Sequence, residues 1–211
     1  NMYTARVRLF DGEECIDEYS DRYGYREFRV DAEKGFFLNG RNVKINGVCM
    51  HHDLGCLGSA VNKNALRRQL EILKGMGCNG IRTSHNPPAP ELLDLCDEMG
   101  FYVVDETDLE THGMNDAGNW SALTDSEEWS EAYLDRLSRM FERDKNHASV
   151  LIWSCGNESY CGDDIAAMAD YFHEVDKTRL VHYEGVVWNR KYDHITDMES
   201  RMYAKPDEVE E

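Results

Sequence analysis

The chain has 211 residues, of which 41% are hydrophobic, and a formal net charge of -18 at pH 7. This length is sufficient for one domain, or one domain and a part, with a sizeable core. The acidic charge argues against nucleic acid and against an anionic membrane surface as partners, because both would repel the chain. No apolar run of about 18 residues is present, so no segment is predicted to span a membrane.

The seven cysteines are scattered along the chain without a Cys-x-x-Cys pair. An odd number in apolar or mixed surroundings predicts reduced thiols and argues against a zinc site. The first six residues also lack the apolar core of a signal peptide. Together these features predict a cytoplasmic protein.

The first thirty residues alternate between apolar and polar positions. The alternation predicts half-exposed strands over residues 5–10 and 25–30, with turns at 11–12 and 21–24. Two or three strands do not form a stable sheet alone. This segment is therefore expected to be the end of a β-domain, or an edge packed on the next part of the chain.

From Phe36 onward, strand-like and helix-like segments alternate. Strands are predicted over residues 43–49, 78–82, 101–104, 150–154 and 180–183, with a possible sixth near 197–202. The helices between them have recognisable ends: Asn62 is an N-cap candidate, Pro90 a first helical residue, and Gly77 and Gly100 are stops. Further helices are predicted from about Ser126 and around residues 165–175. Such alternation predicts parallel strands with right-handed crossovers.

Polar side chains come after almost every predicted strand. In a parallel barrel the C-terminal ends of the strands share one face, so these groups are expected to converge on one cavity. They are His51, His52 and Asp53 after the first strand; Arg82, Ser84 and His85 after the second; Asp105, Glu106, Asp108, Glu110 and His112 after the third; Asn157 and Glu158 after the fourth; Tyr183 and Glu184 after the fifth; and Tyr203 near the sixth.

Each group also has a purely structural interpretation. His51 and His85, taken singly, could be loop histidines with satisfied hydrogen bonds. Glu110 and His112 are two residues apart, so on an extended stretch their side chains point the same way. With a third carboxylate they could bind Mg²⁺, although a lone Glu-x-His is a weak metal signal. Tyr183 could be a core aromatic or a platform for a sugar ring.

The chemistry that fits best is glycoside hydrolysis. No Gly-x-Ser-x-Gly nucleophile motif is present, whereas carboxylates, neutral donors and aromatics around an acidic cavity suit a glycosidase. That reaction needs one protonated carboxylic acid and a second carboxylate acting as nucleophile or base. Glu158 is the predicted acid/base, and the amide of Asn157 could donate to a sugar hydroxyl.

Several segments resemble glycoside hydrolase family 2. The resemblance runs in order over about residues 25–205 and rests on Gly40–Val48, Ile81–Pro88, Leu95–Glu106, Arg143–His147 and Gly156–Ser159. The segment Asp108–Gly113 resembles the β-galactosidases of that family rather than its β-glucuronidases.

The resemblance implies site roles and partners. Glu158 would be the catalytic acid/base, with the substrate-binding and metal-binding roles distributed over its neighbours. Substrate would be bound by His51, His85, Asn157 and Tyr203, the last also hydrogen-bonding the nucleophile, and Mg²⁺ by Glu110, His112 and Glu158. The substrate would be a terminal β-D-galactoside, cleaved with retention, and a homo-oligomeric parent protein is expected.

The implied fold is an α/β (β/α)8 TIM barrel, truncated to about six strands. Residues 1–32 would be the end of an immunoglobulin-like β-sandwich domain, and residues 33–211 the N-terminal part of the barrel. The family's nucleophilic glutamate lies on the seventh barrel strand in a Cys-Glu-Tyr-type motif, which this sequence lacks. Glu184, on the fifth strand, does not match it.

Two alternatives remain open on the sequence. One keeps the family and changes the activity to that of a β-glucuronidase or β-mannosidase. The other is a carbohydrate-binding or structural fragment without turnover, which the absence of the nucleophile favours for the chain as it stands. An aryl galactoside assay, with and without a complementing C-terminal piece, distinguishes the second from an active enzyme.

Overall fold

A computed structural model describes residues 2–210. The strands are β1 Met2–Asp11, β2 Glu14–Gly24, β3 Phe28–Asp31, β4 Gly35–Leu38, β5 Arg41–Asn42, β6 Gly47–His51, β7 Gly80–Ser84, β8 Tyr102–Glu106, β9 Val150–Ser154 and β10 Leu180–His182. The helices are α1 Lys63–Gly75, α2 Pro90–Met99, α3 His112–Asp116, α4 Glu127–Asp144, α5 Asp163–Val175 and α6 Pro206–Glu210. Short 3-10 segments cover Gly55–Leu57, Trp120–Ala122, Glu184–Trp188 and Arg190–Ile195.

A parallel five-stranded sheet organises the chain. Its strands lie in the order β10-β9-β8-β7-β6, so each neighbours the next one along the sequence. The helices α1, α2, α4 and α5 fall one in each of the four connections. This is the repeating β/α unit of a TIM barrel, and five of the fold's eight strands are present. The predicted α/β barrel class is confirmed.

The core lies between this sheet and its helices. All five residues of β9 are buried, and the helices contribute Leu70, Leu93, Leu137 and Phe172, each with 0% exposure. Each such side chain stabilises the fold by roughly 1.5–3 kcal/mol relative to its exposed state. The buried apolar residues of each helix therefore lie on the face of that helix that packs against the sheet.

The predicted helix ends are confirmed by their capping contacts. Asn62 Oδ1 accepts hydrogen bonds from the backbone N–H groups of Asn64 and Ala65, both at 3.1 Å. Pro90 is the first residue of α2, and Gly100 ends that helix with a left-handed φ of 75°. Met76 is 73% exposed because it lies past α1 as the C-cap of that helix.

Strand boundaries are confirmed for β9, while β6, β7 and β8 both begin and end later than predicted, so that each reaches further toward its polar end. The ladder continues through His51 opposite Ser84 and Glu106 opposite Ser154. Backbone pairing does not depend on side-chain polarity, and the polar side chains here satisfy one another. The apolar pattern therefore ends before the strand does.

The predicted sixth strand near residues 197–202 is wrong. Asp197 uses its backbone N–H to bond the Val181 carbonyl at 2.9 Å, and its carboxylate accepts the Val181 N–H at 2.7 Å. Thr196 Oγ1 adds a 3.3 Å bond to the same carbonyl. These contacts occupy the outer edge of β10 without a second ladder, so the segment lies beside the sheet as irregular chain.

Two small antiparallel units precede the sheet. The hairpin β1–β2 turns at Gly12 as predicted, but residues 21–24, predicted as a turn, belong to β2 because they pair with Met2–Ala5. The strands β3, β4 and β5 form a three-stranded sheet in which Asp31 pairs with Gly35, across the predicted boundary at 32/33. That domain boundary stays a prediction. Within residues 2–210, no helix has both the length and the apolar character to cross a membrane.

Candidate active site

A buried carboxylate forms the floor of the candidate site. Glu106, the last residue of β8, has 0% exposure and accepts three hydrogen bonds. Its partners are Arg82 Nε at 2.6 Å, His85 Nδ1 at 2.6 Å and Ser154 Oγ at 2.7 Å. Because all three partners lie at neighbouring strand ends, Glu106 fixes the edge of the sheet on which the site is built.

Arg82 links this floor to the acid-bearing loop. Its guanidinium also donates to Asn157 Oδ1 at 2.9 Å and lies 3.7 Å from Glu184 Oε2. Burial by itself would lower the pKa of Arg82, but the carboxylates of Glu106 and Glu184 outweigh it and raise that pKa. Arg82 therefore remains a cation at the centre of three strand ends.

Glu158 stands above this network, just past the end of β9. Its side chain keeps 24% exposure, and its Oε2 lies 3.1 Å from His112 Nδ1. Its backbone has a φ of 39°, in the left-handed region that non-glycine residues seldom adopt. The predicted acid/base is thus accessible on one side and held by buried polar groups on the other.

The two histidines predicted to bind substrate are brought together. The rings of His51 and His85 meet edge to face, with centroids 5.2 Å apart and an interplanar angle of 85°. Nδ1 of His85 donates to the buried Glu106, which fixes the orientation of the ring. The pair forms one wall of the site, and its substrate role stays a prediction.

Asn157 is more fully engaged than the sequence implied. It is 3% exposed, its Oδ1 accepts from Arg82, and its Nδ2 donates to Glu110 Oε2. These bonds use one of the two amide hydrogens, and the contact of Asn157 with a sugar hydroxyl stays a prediction. Its backbone N–H also donates to Leu109 O at 2.8 Å, which holds the loops after β8 and β9 against each other.

The three predicted metal ligands are neighbours. His112 begins α3 rather than continuing an extended stretch, yet its backbone N–H still reaches Glu110 Oε1 at 3.3 Å, and its ring reaches Glu158. Two carboxylates are a donor set that suits Mg²⁺. In the part of the chain described here, however, no three His, Cys, Asp or Glu side chains converge tightly enough to hold an ion as they stand.

Tyr203 is not brought to the site. It is 90% exposed and has a φ of 55°. Residues 197–202 do not form the predicted sixth strand, so Tyr203 lies on irregular chain rather than at a strand end. Its role as a hydrogen-bond partner of the nucleophile stays a prediction.

Two buried groups at the end of β10 have no role predicted from the sequence: His182 is not among the predicted site residues, and Glu184 is predicted at the strand ends without a role. Burial, helped by the charge of Arg82, lowers the pKa of His182 to about 4, and its ring bonds Ser154 Oγ at 3.1 Å and Ser200 Oγ at 2.8 Å. Burial raises the pKa of Glu184 to about 7, although a backbone N–H and Arg82 oppose the change. Both lie at the end of β10, and this strand-end position, which marks Glu184 in the sequence, is the signal that could also have marked His182.

Comparison with known proteins agrees with this architecture. Residues 28–211 match the family model of glycosyl hydrolases family 2, TIM barrel domain. The chain is 45% identical to a β-galactosidase of Streptococcus thermophilus over 100% of its length, and 55% identical to β-galactosidase BoGH2A of Bacteroides ovatus over 74%. It also superposes on an FMN-binding β-glucuronidase from Faecalibacterium prausnitzii with a TM-score of 0.81 at 27% identity, covering 94% of this chain and 31% of the other.

The matches cover the relatives only in part. The chain spans 21% of the Streptococcus enzyme and 18% of BoGH2A. Within that span, the family match includes every barrel strand and the whole strand-end network around Glu158. The chain therefore belongs to glycosyl hydrolase family 2 and carries part of its TIM barrel domain.

Proposed function

We propose that the full-length protein is a retaining β-galactosidase in which Glu158 is the catalytic acid/base. The observation that carries the proposal is the position of Glu158, partly exposed at a strand end, with its backbone N–H bonded to the buried Glu184 beside Arg82. A general acid must reach the glycosidic oxygen while its backbone stays fixed. Few other carboxylates at this edge combine accessibility with such support.

In this mechanism Glu158 acts twice. It first donates a proton to the glycosidic oxygen as a second carboxylate attacks the anomeric carbon and forms a glycosyl–enzyme bond. It then takes a proton from the water that breaks that bond. Glu184 does not serve as the second carboxylate, because it is 2% exposed and its Oε1 accepts the Glu158 N–H at 2.6 Å.

The proposed sugar rests on the relatives. The two β-galactosidases compared with this chain are 45% and 55% identical to it, whereas the β-glucuronidase structure stands at 27%. These identities support a β-galactoside over a β-glucuronide or β-mannoside. Assay of the three 4-nitrophenyl glycosides on the full-length protein tests this, and a higher kcat/KM for the glucuronide or the mannoside would overturn it.

Magnesium is part of the proposal. Glu110, His112 and Glu158 would hold Mg²⁺, with waters completing its coordination. When bound, the ion would supply positive charge next to the acid/base. We further propose a homo-oligomeric full-length protein in the cytoplasm. Its seven free cysteines support that compartment.

The test of the acid/base is the substitution Glu158→Gln in the full-length protein. Substrates with poor leaving groups need proton donation, so their glycosylation rate should fall by about 10² to 10⁴-fold, and activated aryl galactosides should lose much less. Glu131→Gln, an exposed glutamate of α4, is the matched control and should change neither rate. Equal loss for both kinds of substrate would contradict the assignment.

A further inference from the structure

The two residues directly after β10 hydrogen-bond to the backbone on both sides of Glu158. Glu184 Oε1 accepts the N–H of Glu158 at 2.6 Å. The Tyr183 hydroxyl accepts the N–H of Ser159 at 3.2 Å and donates to the Ser159 carbonyl at 2.6 Å. We infer that Tyr183 and Glu184 are positioning residues that set the direction of the Glu158 carboxyl group, an inference that rests on the proposed acid/base role.

The geometry of the three bonds explains why they would control that direction. The N–H of Glu158 belongs to the peptide plane before its Cα, and the N–H of Ser159 belongs to the plane after it. Fixing both planes fixes φ and ψ of Glu158, and with them the line along which its side chain leaves the backbone. One bond alone would leave the other plane free to rotate.

Glu158 needs this restraint because its conformation is unfavourable. With a φ of 39° it lies in the left-handed region, where a Cβ crowds the following carbonyl. Such residues persist only when their surroundings over-determine them, and they concentrate at active sites. The bonds from Tyr183 and Glu184, together with the 3.0 Å bond that Ser159 Oγ donates to the Asn157 carbonyl, hold the peptide groups around Glu158.

The burial of Tyr183 and Glu184 distinguishes a positioning role from a role in substrate binding. Tyr183 has 0% exposure and Glu184 has 2%, so neither side chain can meet a sugar ring. Gly185 contributes to the arrangement, since a Cβ there would stand 2.5 Å from Cε1 of the Tyr183 ring. The ring folds back over its own chain and presents its hydroxyl to Ser159. Tyr183 is therefore not the sugar platform that the sequence left open.

A positioning role and a packing role make different predictions. If the pair only packs the core, its removal should lower stability and affect all substrates alike. If it aims Glu158, the loss should increase as the leaving group becomes poorer, because only those substrates depend on the proton. The slope of log kcat/KM against leaving-group pKa is thus the readout.

The experiment uses the full-length protein and a series of aryl β-galactosides with graded leaving groups. Tyr183→Phe keeps the buried ring and removes both bonds to Ser159. It should cost about 10- to 100-fold on the poorest leaving groups and less than about 3-fold on the most activated. Tyr133→Phe is the matched control, since that buried hydroxyl also donates to a backbone carbonyl, Leu123 O at 2.8 Å, but on the helical side of the sheet. It should leave the slope unchanged.

A second pair of variants covers the case in which Tyr183→Phe does not fold. Glu184→Gln keeps an oxygen that can accept the Glu158 N–H, whereas Glu184→Met has similar length and cannot. Positioning predicts a steep leaving-group slope for Glu184→Met and a slope near wild type for Glu184→Gln. A packing role predicts instead that Glu184→Met and Glu184→Gln have the same leaving-group slope.

Glu158→Gln, measured in parallel, separates the two proposals. If it shows no leaving-group slope, the acid/base assignment itself has failed. If it shows the slope while Tyr183→Phe folds normally and has lost activity equally on all substrates, or not at all, the positioning inference is overturned and the acid/base stands. A steep leaving-group slope in both Glu158→Gln and Tyr183→Phe supports the acid/base assignment and the positioning inference.

Discussion

At the scale of single residues, Arg82 is a cation that balances the negative charge of neighbouring buried carboxylates. Arg82 lies between Glu106 and Glu184, and its guanidinium also reaches Asn157. A buried carboxylate with one partner removed is left as an uncompensated charge, which typically costs about 3–5 kcal/mol. Arg82 is therefore expected to be the least replaceable residue of the floor.

Glu110 is where the proposed metal site can be tested. Substitution by glutamine keeps the shape of the side chain and removes the charge that attracts Mg²⁺. The full-length wild-type protein should gain thermal stability with added Mg²⁺, and Glu110→Gln should gain clearly less at the same concentration. Thermal melts with and without EDTA measure this independently of turnover. An unchanged Mg²⁺ response would place the ion elsewhere.

At the scale of elements, the turn after β9 decides where the acid/base stands. Gly156 has a φ of 143°, and a Cβ there would lie 2.7 Å from Leu109 O and 2.8 Å from Leu109 Cβ. The loop after β8 thus approaches the turn more closely than any side chain permits. This contact brings Asn157 into bridge pairing with Glu110.

Gly156→Ala should therefore destabilise the barrel. Backbone strain and overpacking each cost about 1–3 kcal/mol, so a loss of roughly 2–6 kcal/mol is expected. Gly75→Ala is the control, because that glycine lies in α1 with open space around it and no positive φ. The two midpoints of thermal unfolding, measured on the full-length protein, give the comparison. Equal thermal midpoints for Gly156→Ala and Gly75→Ala would show that Leu109 can move aside at little cost in stability.

The elements also show which parts of the molecule a sequence can predict. The strand β9 and the caps of α1 and α2 follow from local patterns, namely an apolar run, Asn62, Pro90 and Gly100. The positions of Glu184 and Asp197 do not, because both depend on which strand lies beside β10 and in what register. Asp197 replaced the predicted sixth strand through contacts with a residue that is distant in sequence. Contacts between segments that are distant in sequence produce no local sequence pattern.

The candidate site divides in the same way. Convergence of His51, His85, Glu110 and Glu158 follows from the rule that strand ends share a face. The hydrogen bonds of Asn157 to Arg82 and Glu110 could not be predicted, since they depend on side-chain rotamers across three strands. The prediction for Tyr203 relied on resemblance alone.

At the scale of the whole molecule, the five-stranded sheet has, among residues 2–210, a partner-free edge at β6. That strand pairs only with β7, whereas the edge of β10 is partly occupied by Asp197 and Thr196. The inner face next to β6 carries an open apolar hollow of about 210 Å³. An unpaired strand beside apolar surface is a template for association.

The 211-residue chain alone is therefore expected to self-associate and to show essentially no turnover of aryl galactosides. A retaining mechanism needs two carboxyl groups about 5–5.5 Å apart, and the buried Glu184 cannot supply the second. Cys49→Lys places a charge on β6 and should shift sedimentation toward monomer, whereas Ile72→Lys on the exposed side of α1 should not. An active wild-type monomer would contradict both expectations.

The alignment of β10 on β9 limits where residues can be inserted into or deleted from this protein. His182 lies opposite Ser154, and successive side chains of a strand point to opposite faces. Deletion of one residue from β10 would therefore exchange the directions of Tyr183 and Glu184 and release the peptide planes around Glu158. The exposed segment 115–119 carries no such constraint. In a library of random insertions and deletions, active survivors should accumulate there and be missing from residues 180–185.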